Sequence, residues 1–220
     1  MQSSLSKEEK PEEQKKEQAE TETDERLYPE EIAGVKRGKP MTPEEAGGKN
    51  VNPNYDITSY EYSHNCKTCN VAYNARLQGY KVRAKGFDKN NIMQNALEQN
   101  LALAYIDPKT NRIPRMTEKT VKNNVECYKF LTEMVKPNEQ YALAWRWSTS
   151  IDGHTAILKK DINNEIYIYD AQNWQVITGK ENVQKYMEEF AYDSPIKYLR
   201  TDNLILFEPV VSKVLEKSEY

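Results

Sequence analysis

The spacing of the apolar residues changes once along this chain, and that change limits the folds open to it. Up to Pro137 the apolar positions recur mostly at helical intervals, with one short alternating stretch in "YKVRA". From Gln140 on they alternate, in "QYALAWRWST", "GHTAILKK", "EIYIYDAQ" and "YLRTDNLILFEP", with one further helical stretch in "GKENVQKYMEEFAY". Helices first and strands afterwards predict an α+β fold with N-terminal helices packed on an antiparallel sheet.

The apolar residues are also unevenly distributed. Residues 1–50, which include "SKEEKPEEQKKEQAETETDERLYPEEIAGVKRGKP", hold almost no large apolar side chains. Such a segment cannot bury enough surface to offset a backbone ordering cost of roughly 1–2 kcal/mol per residue. It is expected to be a disordered charged tail. Residues 51–209 carry all three tryptophans and most of the 15 tyrosines, enough for one core, and 210–220 are read as a C-terminal tail. No apolar run approaches the roughly 18–20 residues needed to span a bilayer, and no basic-then-apolar leader opens the sequence. The expectation is a soluble protein without membrane contact, cytoplasmic unless virion-associated or delivered into a target cell. A net charge of -3 and a pI near 5.7 argue against nucleic acid as a partner. Three cysteines make no disulfide framework and fit a reducing compartment.

The segment "YSHNCKTCNVAYNARLQGYKVRA" reads as a polar loop, a helix and a short strand. Asn65 is a suitable N-cap, Cys66, Cys69, Tyr73 and Leu77 fall on one face, and Gly79 stands where a C′ glycine belongs. "TEKTVKNNVECYKFLTEMV" is read as a second helix ended by Lys136-Pro137, with Cys127 an inert core thiol.

Chemistry concentrates at three places. "GHTAILKKDINNEIYIYD" reads as a hairpin around the turn-prone "DINN", with His154 opening the first strand and Asp170 closing the second. Antiparallel pairing brings those two ends together, and a carboxylate beside an imidazole orients it as a general base. Cys66 occupies the first turn of its helix, where unsatisfied N–H groups and the helix dipole favour a thiolate. Cys69, one turn on, reads as packing and is the alternative nucleophile. A helix-borne cysteine followed by a histidine and an aspartate on later strands is the chain order of a papain-like Cys-His-Asp hydrolase. Two rival readings use the same residues: a zinc site from His64, Cys66, Cys69 and His154, and a C-x-x-C redox pair. Zinc lacks a second cysteine pair and the redox motif lacks its βαβ context, so no metal or cofactor is expected.

The series "NCKTCNVAYNARLQGYKVRA", "DGHTAILKK" and "IYIYDAQNW" resembles the papain-fold toxin and glutamine deamidase-like domains of bacterial polymorphic toxins and phage minor head proteins. The resemblance runs from about Asn52 to Pro209 and implies a papain-like fold. It makes Cys66 the nucleophile, His154 the base and Asp170 its orienter. Asn65, Gln172 and Trp174 become supporting or substrate-binding residues, and Arg76, Gly79 and Tyr80 match structural positions. Ala171 stands where the family usually has proline. The implied activity is deamidation of a protein glutamine by a toxin or effector, phage-encoded or otherwise, with an assembly partner or immunity protein as a further partner. The alternatives are a cysteine peptidase acting on peptide bonds and a noncatalytic phage head or interaction protein that keeps the fold.

Overall fold

The computed structural model describes residues 27–219; residues 1–26 and 220 lie outside them. At its centre is helix α1 (Cys66–Leu77). Of its 12 residues only Lys67 and Leu77 are not buried, so the helix is enclosed on every side rather than along the single stripe that its spacing predicts. Its end follows the sequence closely. Gly79 N–H donates to Arg76 O and Tyr80 N–H to Ala75 O, the paired bonds of a Schellman cap. Gly79 has φ +103°, and a methyl group on it would stand 2.3 Å from the carbonyl oxygen of Gly38.

The chain continues through β1 (Val82–Ala84), α2 (Ile92–Gln99), β2 (Thr117–Lys119), α3 (Asn124–Met134), β3 (Gln140–Arg146), β4 (Gly153–Lys160) and β5 (Ile166–Asp170). It then forms β6 (Gln175–Ile177), α4 (Lys180–Met187), β7 (Ile196–Arg200), α5 (Glu208–Val214) and β8 (Leu215–Lys217). The fold is a mixed α+β one. Six strands make an antiparallel sheet in the order β2-β7-β3-β4-β5-β6. The helix read from "TEKTVKNNVECYKFLTEMV" starts only at Asn124, where the Asn123 side chain caps it. Thr117–Lys119, the beginning of that segment, pairs instead with β7 at the sheet edge.

Both faces of the sheet are covered. Ala142, Ile157, Tyr169 and Leu199 share a core with Cys69 and Tyr73 of α1. Leu143, Ala156, Leu158 and Ile168 face the other way, onto Cys127 and Leu131 of α3 and Val183 and Met187 of α4. Burial on both faces explains why the central strands read as nearly continuous apolar runs.

Two tail expectations are corrected. Residues 28–50, read as part of a disordered tail, fold onto the core: Ile32 and Ala46 are fully buried. Backbone bonds complete the attachment. Ala33 N–H donates to Ser212 Oγ (2.9 Å) and Gly48 N–H to the Tyr169 hydroxyl (2.8 Å). The buried Arg76 guanidinium donates to the carbonyls of Glu45 and Ala46, both at 3.0 Å. A count of apolar side chains misses this segment because main-chain groups do much of the docking. Residues 1–26 of the expected tail lie outside the described residues. Residues 210–219 of the expected C-terminal tail are likewise no tail: Val210, Val211 and Val214 are buried and β8 pairs with β1; residue 220 lies outside the described residues. The folded unit therefore extends beyond 51–209 at both ends. Among the described residues, no helix is long and apolar enough to cross a membrane.

Gly79 and Gly34 separate backbone strain from steric conflict. Gly34 has φ +77° with open space around it, so Gly34→Ala is expected to cost about 1 kcal/mol. Gly79→Ala adds a collision with the Gly38 carbonyl and is expected to cost at least about twice that. The midpoints of urea unfolding of the two variants check this; equal losses would contradict it.

Candidate active site

Helix α1 starts at the wall of a surface cleft and puts Cys66, its first residue, there. Asn65 precedes it but does not cap it, contrary to the sequence expectation, and makes no side-chain bond to the helix N–H groups. Its amide is engaged elsewhere. Asn65 Nδ2 donates to Asn52 Oδ1 (3.2 Å) and Lys85 O (3.1 Å), while its Oδ1 accepts from Asn52 Nδ2 (3.3 Å) and Gln172 Nε2 (3.2 Å). Asn52 Nδ2 also donates to Gln172 O (2.9 Å) and Tyr62 O (3.1 Å). The loop before Cys66 is thus tied to the turn after Asp170 by three buried amides.

The hairpin supplies the other two groups. Pairing of Ile157 with Tyr169 puts Asp170 opposite Ala156, two residues from His154 on the same face. His154 Nε2 meets Asp170 Oδ2 at 2.7 Å, and the second carboxylate oxygen accepts the Gln172 N–H at 3.0 Å. Because Asp170 takes Nε2, Nδ1 is the ring nitrogen left for another partner, and the Cys66 sulfur lies near enough to act on the imidazole. Cys66, His154 and Asp170 are therefore brought together, all three buried but facing the same cleft.

The electrostatics follow from this enclosure. Burial disfavours a charged His154, but the Asp170 carboxylate and the Cys66 sulfur outweigh it and hold the imidazole pKa well above its usual value. The ring is fixed between aromatic groups: Trp147 stacks on it at 5.3 Å and Trp145 meets it edge-on at 5.2 Å. The two other thiols lie in different surroundings. Cys69 is fully buried, and burial together with the nearby Cys66 and Asp170 pushes its pKa far up. Cys127 is pushed up to about 12 by burial. Of the two cysteines of the C-x-x-C motif, Cys66 alone lines the cleft.

Other residues marked by the sequence take varied places. Gln172 lines the cleft and joins the amide cluster. Trp174 does not line it; with φ +65° it turns away, edge-on to the cleft residue Tyr55 at 5.8 Å and beneath Lys49 Nζ at 5.4 Å. His64 is exposed on the rim, its ring stacked on Tyr60 at 4.0 Å and its Nδ1 against Tyr60 O at 3.0 Å. Among the described residues, no three His, Cys, Asp or Glu side chains gather as a metal-ligand set. Asn52 and Tyr55 were not marked as site residues by the sequence, and Asn52 stands in a polar turn with no periodicity to single it out. The strand "YALAWRWS" reads either as the hydrophobic side of a substrate cleft or as a core face; Trp147 lines the cleft, and Trp145 is buried in the core at the edge of the second cavity.

The cleft continues past His154 into a second cavity. The first, of about 450 Å³, contains Cys66, Tyr55 and Trp147, and the second, of about 750 Å³, lies against β2, β3, the start of β7 and the end of α2; they share Glu98, Asp152, Gly153 and His154. In comparison with known proteins, the chain matches no family model and no curated sequence.

His154 and Asp170 form a buried pair, and removing one member leaves the other without its counter-charge. His154→Ala is expected to lose about 3–5 kcal/mol of stability near pH 6, and the double variant with Asp170→Ala less than the sum of the single losses. A raised folded-state pKa stabilises most below the unfolded histidine value, and the contribution is lost as pH rises through the folded value. The unfolding free energy of the wild-type chain should therefore fall more steeply above pH 7 than that of His154→Ala. Parallel slopes in urea titrations across pH would contradict this.

Proposed function

We propose that the protein is a papain-like cysteine hydrolase that uses Cys66 as nucleophile, His154 as general base and acid, and Asp170 to orient His154. The observation that carries this reading is the convergence of those three residues, remote in sequence, at the wall of one cleft, with the second cysteine of the motif buried away from it. The resemblance to papain-fold deamidase-like domains supports a protein glutamine as substrate and a toxin or effector role with an assembly or immunity partner.

In the proposed reaction, the Cys66 proton passes to His154 before the attack, in keeping with the raised imidazole pKa, and the sulfur then attacks the carboxamide carbon, forming a C–S bond and an oxyanion. The backbone N–H of Cys66, a first-turn amide with no intrahelical acceptor, is the donor proposed for the developing oxyanion. Imidazolium then gives its proton to the departing nitrogen, ammonia leaves, and a thioester remains. Water attacks the thioester carbonyl with His154 again as base, releasing a glutamate side chain and restoring the thiol. Asp170 keeps Nε2 occupied through each step and leaves Nδ1 to carry the proton.

A second reading, peptide-bond cleavage, is favoured by one observation: the cleft runs past His154 into a second cavity, giving room for a chain laid across the nucleophile. The chemistry at sulfur is the same, and the leaving group is an amine-terminated peptide in place of ammonia.

Iodoacetamide at neutral pH is expected to alkylate Cys66 at least about tenfold faster than Cys69 or Cys127, and His154→Ala should slow that labelling. Peptide mass mapping of the alkylated protein reads both results; equal labelling of the three thiols would sink the hydrolase reading. With glutamine-containing protein substrates, ammonia release without new termini identifies a deamidase. New termini identify a peptidase, and neither product, with Cys66 unreactive, identifies a noncatalytic module.

A further inference from the structure

We propose that Asp152 is a specificity-determining residue, selecting a cationic group in the substrate next to the carbonyl that Cys66 attacks. The proposal rests on the hydrolase reading above and adds a substrate property to it. Asp152 lies two residues before His154, in the turn between β3 and β4, and borders both cavities where they meet. A substrate bound in either cavity passes this carboxylate.

The charge balance of the cleft singles it out. Each other carboxylate lining the two cavities has its own counter-charge: Asp170 has His154 at 2.7 Å, Glu98 has Lys67 at 3.1 Å and Glu118 has Lys197 at 3.1 Å. The remaining lining cation, Arg146, is paired with Asp193. Among the described residues Asp152 has no ion pair. Its carboxylate is exposed and is oriented by Ser150, whose Oγ donates to Asp152 Oδ2 at 3.0 Å. The lining of the two cavities thus carries one uncompensated negative charge, at their junction beside the imidazole. A cationic group there gains attraction without breaking an existing pair, and an anionic one is repelled. The flanking apolar side chains, Ile151 at 91% and Ile57 at 75% exposure, offer cover to the aliphatic stem of a lysine or arginine.

Charged thiol reagents measure this selection without needing a known substrate. Three methanethiosulfonates are used on the full chain at low ionic strength: trimethylammonioethyl (cationic), sulfonatoethyl (anionic) and methyl (neutral). Each transfers its thioalkyl group to the Cys66 sulfur and releases methanesulfinate. The cationic-to-anionic rate ratio at Cys66, divided by that for free mercaptoethanol, should exceed unity by about fivefold. Asp152→Asn should bring it near unity and Asp152→Lys should invert it, while Ser150→Ala, which keeps the charge, should leave a clear cationic preference. A reactive Cys66 whose ratio is unchanged in Asp152→Asn overturns this proposal alone. A Cys66 inert even to the neutral reagent overturns the hydrolase reading, and this proposal with it.

Discussion

The near-complete burial of helix α1 is the constraint on which the rest of the molecule depends. A helix enclosed on nearly all sides leaves few polar side chains to water, and α1 carries several. An unpaired buried polar group costs about 1–3 kcal/mol, and most of these groups have a partner inside the protein, although Asn70 Nδ2 has none. The partners come from all over the chain. Arg76 takes the carbonyls of Glu45, Ala46 and Val82. Asn74 donates to the Tyr105 hydroxyl at 2.9 Å and accepts from Gln140, which also reaches Thr201. Satisfying one helix therefore fixes the N-terminal segment, the start of β3 and the end of β7 relative to each other.

The same rule shapes the candidate site. Asn65 is in the position of a cap, yet its amide joins Asn52 and Gln172, and this leaves the first N–H groups of α1 without that side chain. Capping is worth about 1 kcal/mol to a helix. The lost cap is replaced by a buried link between the cysteine-bearing loop and the aspartate-bearing turn. His154 is fixed in the same manner, by Asp170 on one side and tryptophan rings on two others. Its orientation is thus set by packing and by a charge at once.

The legible parts of this molecule were those with local causes. The helix after Asn65, the Gly79 stop and the hairpin from Gly153 to Asp170 all follow from spacing and turn residues within a few positions. The meeting of His154 with Asp170 needed only hairpin pairing. The position of Cys66 relative to them needed the packing of α1, which the chain order suggested but spacing could not supply. What stayed hidden was nonlocal and mostly polar. Asn52 acquires its role from Asn65 and Gln172, and Glu45 and Ala46 act through their carbonyls, which no composition reveals. The segment around Ile32 was misread for the same reason: few apolar residues suffice where the main chain finds partners elsewhere, whereas α5 docks through buried valines of its own.

The attachment of residues 28–50 also dictates an order of assembly. The groups that receive this segment include Arg76, the Tyr169 hydroxyl and Ser212 Oγ, so that the contact from Ala33 spans 179 positions of the chain. During synthesis the segment emerges early and its last docking site emerges late. Contacts that close such long loops form slowly, and Ile32 must wait in water until α5 exists. Tyr169 and Asp170 are consecutive on β5, one holding the early segment and the other the imidazole. One strand therefore secures both the segment that docks late and the imidazole of the cleft.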